Sequence, residues 1–135
     1  MANALYDHGR EGFLDGSIDW DTNDIKLCLV DEADDTPDLA NDEDMADRAG
    51  DAQVKTSDAF ASKTVDAGVA DAADVTLSTV TGDACESIDI FKSTGVAAND
   101  RLIANIDTAT GLPVTPNGGD ITVQWDAGAN KIFKL

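Results

Sequence analysis

The stretch that decides the fold is residues 86–107, ESIDIFKSTGVAANDRLIANID. In its first half Ile88 and Ile90 flank Asp89, and in its second half apolar residues again occupy every second position. A period of two is typical of a half-buried β-strand, because successive side chains point to opposite faces of a sheet. A polar, glycine-containing segment separates the two runs and indicates a turn. The stretch therefore predicts two strands, Glu86–Lys92 and Arg101–Asp107.

The same short alternating runs recur on both sides of this stretch. The further predicted strands are Ile25–Val30, Ala52–Ser57, Ser62–Val69, Asp74–Val80, Asp120–Trp125 and Lys131–Lys134. Clusters of turn residues separate them. The strands do not alternate with helices, as they would in a parallel sheet. Strands at this spacing predict a mainly β, antiparallel β-sandwich or jelly-roll-like fold, with a barrel as the alternative. A chain of 135 residues fits a single β-rich domain over 1–135.

A short helix is predicted at the start of the chain, over residues 3–15 of an N-terminal helical segment 1–16. Asn3 is the candidate N-cap, and Gly16 suits the position just after the last helical residue. Gly9 and Gly12 lie inside the helix, where each glycine costs about 1 kcal/mol relative to alanine. Their presence indicates close approach to another backbone, with a frayed helix as the alternative.

The charge of the chain is strongly negative. It has 27 acidic residues against 9 lysines and arginines, a net charge of −18, and 23 of the acids are aspartate. Such a surface excludes a nucleic-acid duplex and an anionic membrane as partners. The aspartate excess favours a protein adapted to high salt, where short screening lengths weaken self-repulsion. A divalent-cation binder and an ordinary acidic surface are the alternatives.

Residues 31–51 hold ten acids and one cation, Arg48, and are predicted to form a long acidic loop with one helical turn from Asn41 through Arg48. Neither acidic cluster in it has the spacing of an EF-hand. We therefore expect a solvated loop and no cofactor or metal site, while weak divalent-cation binding by the loop stays open. The two clusters are Asp31, Glu32, Asp34 and Asp35, and Asp42, Asp44 and Asp47.

The end of the sequence differs from the rest, because residues 101–135 carry no net charge. Unpaired charge is costly to bury, so a neutral segment indicates burial in the fold or against a partner. Phe133 and Leu135 are therefore candidate partner contacts. Trp20, in a turn-rich stretch, is a third candidate and is expected at a rim or interface, whereas Trp125 alternates with apolar residues and is expected in the core.

Residues that could carry catalysis are scarce. His8 is the one histidine, and no nucleophile motif or glycine-rich phosphate loop is present, so we expect no catalytic residue and no enzyme. Cys28 and Cys85 lie in or beside apolar runs and are expected as buried thiols, with a disulfide as the alternative. The sequence shows neither a secretory signal nor a run long enough for a transmembrane helix.

Three stretches carry a resemblance to a known group of proteins: MANALYDHGREGFLDGSIDWDTNDIKLCLVD at residues 1–31, GVADAADVT at 68–76, and RLIANIDTATGLPVTPNGGDITVQWDAGANKIFKL at 101–135. They resemble small virion structural proteins of tailed viruses of bacteria and archaea. The resemblance implies a protein that decorates or cements a capsid, and it names no site residue. Residues 31–58 are more acidic than the pattern of that group, which points to a virus of a halophilic host.

The resemblance implies a place on the capsid exterior of a virion made in the host cytoplasm. The implied partners are the major capsid protein or other virion proteins, and further copies of the chain in a trimer, a pentamer or a turret. Two other functions stay open. One is a tail- or fibre-associated protein that binds a host-surface glycan, and the other is a head–tail connector or tail-tube component.

Overall fold

The computed structural model describes residues 3–135, in which eleven helices and strands form the framework. In chain order they are β1 (Ala4–Leu5), α1 (Asp7–Asp15), β2 (Ile25–Val30), β3 (Gln53–Thr56), β4 (Thr64–Asp66), β5 (Val69–Asp71), β6 (Val75–Leu77), β7 (Ser87–Lys92), β8 (Leu102–Ile106), β9 (Ile121–Val123) and β10 (Phe133–Lys134). Two single turns of 3-10 helix lie at Gly50–Ala52 and Ala97–Asn99.

The strands form antiparallel sheets, so the predicted mainly β, sandwich-like fold is confirmed. The largest sheet has five strands in the order β1-β8-β7-β2-β3, and smaller sheets have the orders β10-β5-β4 and β6-β9. The two strands predicted within residues 86–107 are neighbours, with Asp89 opposite Asn105 and Ile90 opposite Ala104. None of the helices within residues 3–135 is long and apolar enough to cross a membrane.

The five-stranded sheet has two differently covered faces. On the first face Leu27, Leu29 and Ile90 join the main apolar core, which also includes residues of the two smaller sheets. On the second face Cys28 and Phe91 belong to a separate apolar cluster. This division follows from the period of two in β2 and β7, since neighbouring residues of a strand point to opposite faces. Both faces are buried, although a period of two is typical of a half-buried strand.

The helix begins at Asp7, four residues later than predicted, and Met1 and Ala2 of the predicted helical segment lie outside the described residues. Asn3 is not its N-cap, because the Asn3 Oδ1 accepts hydrogen bonds from the backbone N–H groups of Asp107 and Thr108, each 2.9 Å long. Those bonds place residues 4 and 5 beside β8 as a strand. Gly16 ends the helix with φ of +81°, as predicted.

The close approach to another backbone predicted for the helix glycines is confirmed for Gly9, whereas Gly12 is approached by a side chain. A β-carbon built on Gly9 would lie 2.7 Å from the carbonyl oxygen of Ile103, and one built on Gly12 would overlap the Ile18 side chain. The first distance is far below van der Waals contact, so the helix backbone lies directly on the backbone of β8. Glycine at position 9 is therefore required by packing.

The single strand predicted over Ser62–Val69 is wrong, because the chain turns back in its middle. Ala67 and Gly68 have φ of +50° and +80°, and they connect β4 to β5 as a tight hairpin. Two consecutive residues with positive φ form the turn that best matches the twist of antiparallel strands. The dipeptide Ala67-Gly68 is therefore a turn, although its flanks have strand character.

Candidate functional site

The most distinctive polar feature of the molecule is a buried network centred on Asp89, which lies in the middle of β7 and has no exposed surface. The Tyr6 hydroxyl donates a hydrogen bond to Asp89 Oδ1 at 2.5 Å, and Asn105 Nδ2 donates to the same oxygen at 2.9 Å. Arg48 Nε donates to Asp89 Oδ2 at 2.9 Å. Each donor comes from a different part of the chain, so this carboxylate joins β7, β8, the start of the chain and the acidic loop.

Arg48 connects this network to the acidic loop. Its side chain is completely buried, and its Nη2 donates to Asp42 Oδ2 at 2.9 Å and to the Tyr6 hydroxyl at 3.1 Å. Its Nη1 lies 3.3 Å from Asp35 Oδ2. One guanidinium thus faces three carboxylates, two from the loop and one from the sheet. Arg48 is the sole cation of residues 31–51 and attaches this negative segment to the second face, while Arg101 from outside the segment forms an ion pair with Glu43 at 3.0 Å.

The inner side of the acidic loop is also apolar. Met45 is buried and Leu39 is partly buried in the cluster that contains Cys28, Phe91 and Leu102. The expectation of a solvated loop is therefore wrong for this side, because Arg48 and Met45 draw it onto the sheet. The helical turn expected up to Arg48 is absent, and the backbone there makes a series of tight turns.

The electrostatics of the network make it a fixed structural element at neutral pH. Burial would lower the pKa of Arg48, but the charges of Asp89 and Asp42, the hydrogen bond to Asp89 and the Tyr6 hydroxyl together outweigh it, and the pKa of Arg48 is raised. Burial, together with the charge of Asp89, raises the pKa of the Tyr6 hydroxyl far above its usual value. Arg48 therefore stays charged and Tyr6 stays protonated, so the arrangement binds the loop rather than transferring protons.

A group of carboxylates lies at the start of the acidic loop. One oxygen each of Asp31, Asp34 and Asp83 lies within 4.8 Å of the others. Asp31 is buried and the other two are exposed, and the charge of Asp31 raises the pKa of Asp34. These oxygens are the donor type that calcium prefers. Asp35, which the sequence grouped with Asp31 and Asp34, faces Arg48 instead, while Asp83 comes from a distant segment.

A groove of about 470 Å³ lies between β8 and the last strand, β10. Eleven residues line it, and none of them is acidic, so we call it the acid-free groove. Two are cations, three are asparagines, and four are large apolar residues. The cations are Arg10 and Lys134, and the large apolar residues are Leu5, Ile106, Ile132 and Phe133.

The three candidate partner contacts have different surroundings. Trp20 is only 4% exposed, its ring contacts Phe60 and Phe133, and its Nε1 donates to the Asp71 carbonyl oxygen at 3.1 Å. The expected rim position of Trp20 is therefore wrong, because the polar turn after it does not carry the ring outward. Phe133 is half-buried against the core and Leu135 is 59% exposed, so their role as partner contacts stays a prediction.

The expected core position of Trp125 is confirmed in part, since its half-buried ring packs on the core beside Phe60. Cys28 and Cys85 are buried free thiols, as expected, and they belong to different apolar clusters. Burial raises the pKa of each thiol to about 11. Both thiols therefore stay protonated and weakly reactive at neutral pH.

Sequence reasoning missed the Asp89 network, because its members lie up to 83 positions from Asp89. One local signal was present. Phe91 lies two residues after Asp89 and so shares its face of the strand, and an aromatic residue on that face indicates burial. A buried carboxylate needs a cationic partner, and Arg48 stands alone among ten acids.

Neither a protein-family model nor a curated protein matches this chain.

Proposed function

We propose that this chain is a virion structural protein that decorates or cements the capsid of a tailed virus. The observation that carries the proposal is that the two longest stretches resembling such proteins, residues 1–31 and 101–135, meet in space. In the first, β1 pairs with β8 of the second, through Ala4 opposite Asn105 and Leu5 opposite Ala104. The resembling residues therefore belong to one connected structural unit.

Aromatic contacts extend this unit to the last strand. The rings of Phe13 and Phe133 are 5.8 Å apart, and those of Trp20 and Phe133 are 5.2 Å apart in an edge-to-face arrangement. Aromatic pairs of this geometry stabilise packing by about 0.5–1.5 kcal/mol beyond the area they bury. Together with the contact of Gly9 with β8, they tie both ends of the described chain to the five-stranded sheet. A rigid, tied unit suits a protein whose task is attachment to a larger shell.

The distribution of charge supports the same proposal. The acidic loop carries a net charge of −9, whereas residues 101–135 are neutral and contain the half-buried Phe133 and the exposed Leu135. We place the neutral side against the major capsid protein or another virion protein and the acidic loop toward solvent on the capsid exterior. Many weak contacts on a closed lattice act together, so each one can be small. Trimers or pentamers would suit such a lattice.

Counting copies of the chain in purified virus particles tests this proposal. A decoration protein is expected in hundreds of copies per particle by quantitative mass spectrometry. Six or twelve copies would assign the chain to a connector or tail ring instead, and a few tail-bound copies with glycan binding would assign it to an adhesin. Absence from the particles would overturn the proposal outright.

A pair of variants tests which side of the molecule attaches to the capsid. Leu135→Asp places a charge on the neutral side and should lower incorporation into particles several-fold. Val65→Asp is the matched control, because Val65 on β4 is 57% exposed, close to the 59% of Leu135. Equal incorporation of the two variants would show that Leu135 is not part of the attached side.

A further inference from the structure

We infer that the acid-free groove binds a segment of the shell partner in which a carboxylate lies next to a large apolar side chain. This inference rests on the proposed function and deepens it, because it names the chemistry of the contacted segment. Three features of the groove support it: its charge, the state of its two cations and its apolar surface.

The charge of the groove departs sharply from that of the rest of the chain. One residue in five of the sequence is acidic, 27 of 135, yet none of the eleven residues lining the groove is. The lining carries Arg10 and Lys134, so it is positive within a molecule of net charge −18. A partner with an acidic surface is repelled by most of this molecule and is attracted here.

The two cations are not equivalent. The Arg10 guanidinium donates to Asp7 Oδ1 at 2.8 Å and to the Leu5 carbonyl oxygen at 3.1 Å, so its charge is already partly neutralised. The Lys134 side chain is exposed and makes no hydrogen bond or ion pair within residues 3–135. Its ammonium is therefore the group available to an incoming carboxylate.

The groove also offers an apolar surface to a neighbouring side chain. Ile106, Ile132 and Phe133 are half-buried, and all three contact the main core from its outer side. An apolar side chain seated on them would remove their remaining exposed area from water, which stabilises association by about 25 cal/mol per Å². The exposed Asn130 in the lining can hydrogen-bond to the backbone of the bound segment, whereas Asn3 and Asn105 already bond within the chain. The groove thus matches a segment that is both acidic and apolar.

Peptide binding to the isolated full chain tests the inference. The probes are two capped hexapeptides, one alternating aspartate with leucine and the other alternating lysine with leucine, added to ¹⁵N-labelled protein. The aspartate peptide is expected to shift the backbone amide signals of Leu5, Ile106 and residues 132–135. The lysine peptide should leave those signals in place.

A charge-reversal variant tests whether Lys134 is the group that binds the carboxylates of the peptide. Lys134→Glu should weaken binding of the aspartate peptide about fivefold or more, because it replaces an attractive exposed pair by a repulsive one. Lys63→Glu is the matched control, since it makes the same change in net charge outside the groove and should leave binding unchanged.

Two results would overturn the inference: no shift at the groove with the aspartate peptide, or equal binding by the two variants. Either result leaves the copy number in virus particles untouched. Failure of the groove inference is therefore distinguishable from failure of the proposed function.

Discussion

The two faces of the five-stranded sheet are buried to the same degree but held together by different interactions. On the first face Leu27, Leu29 and Ile90 pack in a continuous apolar core. The acidic loop over the second face is attached through the buried Arg48–Asp89 pair, with the Glu43–Arg101 ion pair, backbone hydrogen bonds and a small apolar cluster in support. Apolar packing tolerates exchanges of similar shape, whereas a buried ion pair depends on both partners being present. The first face of the sheet should therefore tolerate conservative substitutions, whereas the second face should not tolerate loss of either charged partner.

Removing the cation should have the largest effect. In Arg48→Met the carboxylate of Asp89 stays buried without its charged partner, and we expect a loss of about 3–5 kcal/mol in the free energy of unfolding. Denaturant unfolding of the variant and the parent protein measures this loss of stability. Arg10→Met, which removes an exposed ion pair with Asp7, is the control and should change stability by no more than about 0.5 kcal/mol. A loss below about 1 kcal/mol for Arg48→Met would contradict the proposed role of the network.

The same Arg48→Met variant can show where the structure opens. Cys28 lies under the acidic loop and Cys85 lies in the other cluster, so the two thiols report on the two faces separately. We expect faster thiol labelling of Cys28, with the rate at Cys85 much less affected. Equal acceleration at both thiols would mean that the variant unfolds as a whole.

Salt concentration should affect the acidic exterior more than the buried network. Lowering salt from molar concentration to about 0.1 M lengthens the screening distance from about 3 Å to about 10 Å. Repulsion among the 27 carboxylates then acts, and we expect the melting temperature to fall by about 5 °C, or about 1 kcal/mol for a domain of this size. Calorimetry at several salt concentrations measures this, and an unchanged melting temperature would remove the argument for a halophilic host.

A conservative change on the apolar face should be milder than loss of Arg48. Ile90 is fully buried in β7, directly after Asp89, and Ile90→Val deletes one methylene group. We expect a loss of about 1 kcal/mol, since the surrounding side chains relax around a small cavity. If denaturant unfolding gives a loss as large as that of Arg48→Met, the contrast between the faces is wrong.

The smallest expected effect concerns Asp34. The charge of Asp31 raises the pKa of Asp34 in the folded state, so the folded chain takes up a proton there more readily than the unfolded chain. Ionised Asp34 therefore lowers stability above this pKa, and the penalty disappears as the pH falls through it. Asp34→Asn should raise the melting temperature slightly at pH 7 and have less effect at low pH.

Asp38→Asn is the control of opposite sign. Hydrogen bonds from Asn41 and from the backbone N–H of Ala40 lower the pKa of Asp38, so its ionised form stabilises the fold at pH 7. That contribution is lost as the pH falls through the lowered pKa. Melting temperatures that move in the same direction for both variants would contradict this assignment.

The parts of the fold that depend on local sequence were predictable, and those that depend on distant pairs were not. The alternation around Ile88 and Ile90 and the glycine after the helix locate β7 and the end of α1, because both signals act within a few residues. The partners of Asp89 come from residues 6, 48 and 105, which no local period connects.

One wrong prediction and one partial prediction show the same limit at the level of single residues. Trp20 was expected at a rim because the residues after it are polar, but its ring is buried by Phe60 and Phe133, which are distant in sequence. The neutral charge of residues 101–135 indicated one wall of the acid-free groove. Its second wall, formed by β1 and Arg10, depends on the pairing of β1 with β8 and could not be predicted from local sequence.

The contact of Gly9 with Ile103 sets the spacing between helix and sheet through main-chain atoms alone. Side chains around it can therefore change during evolution without moving α1 relative to β8. A search for distant relatives should accordingly give more weight to a glycine at this position, ten residues before Asp19, than to the aspartate-rich surface.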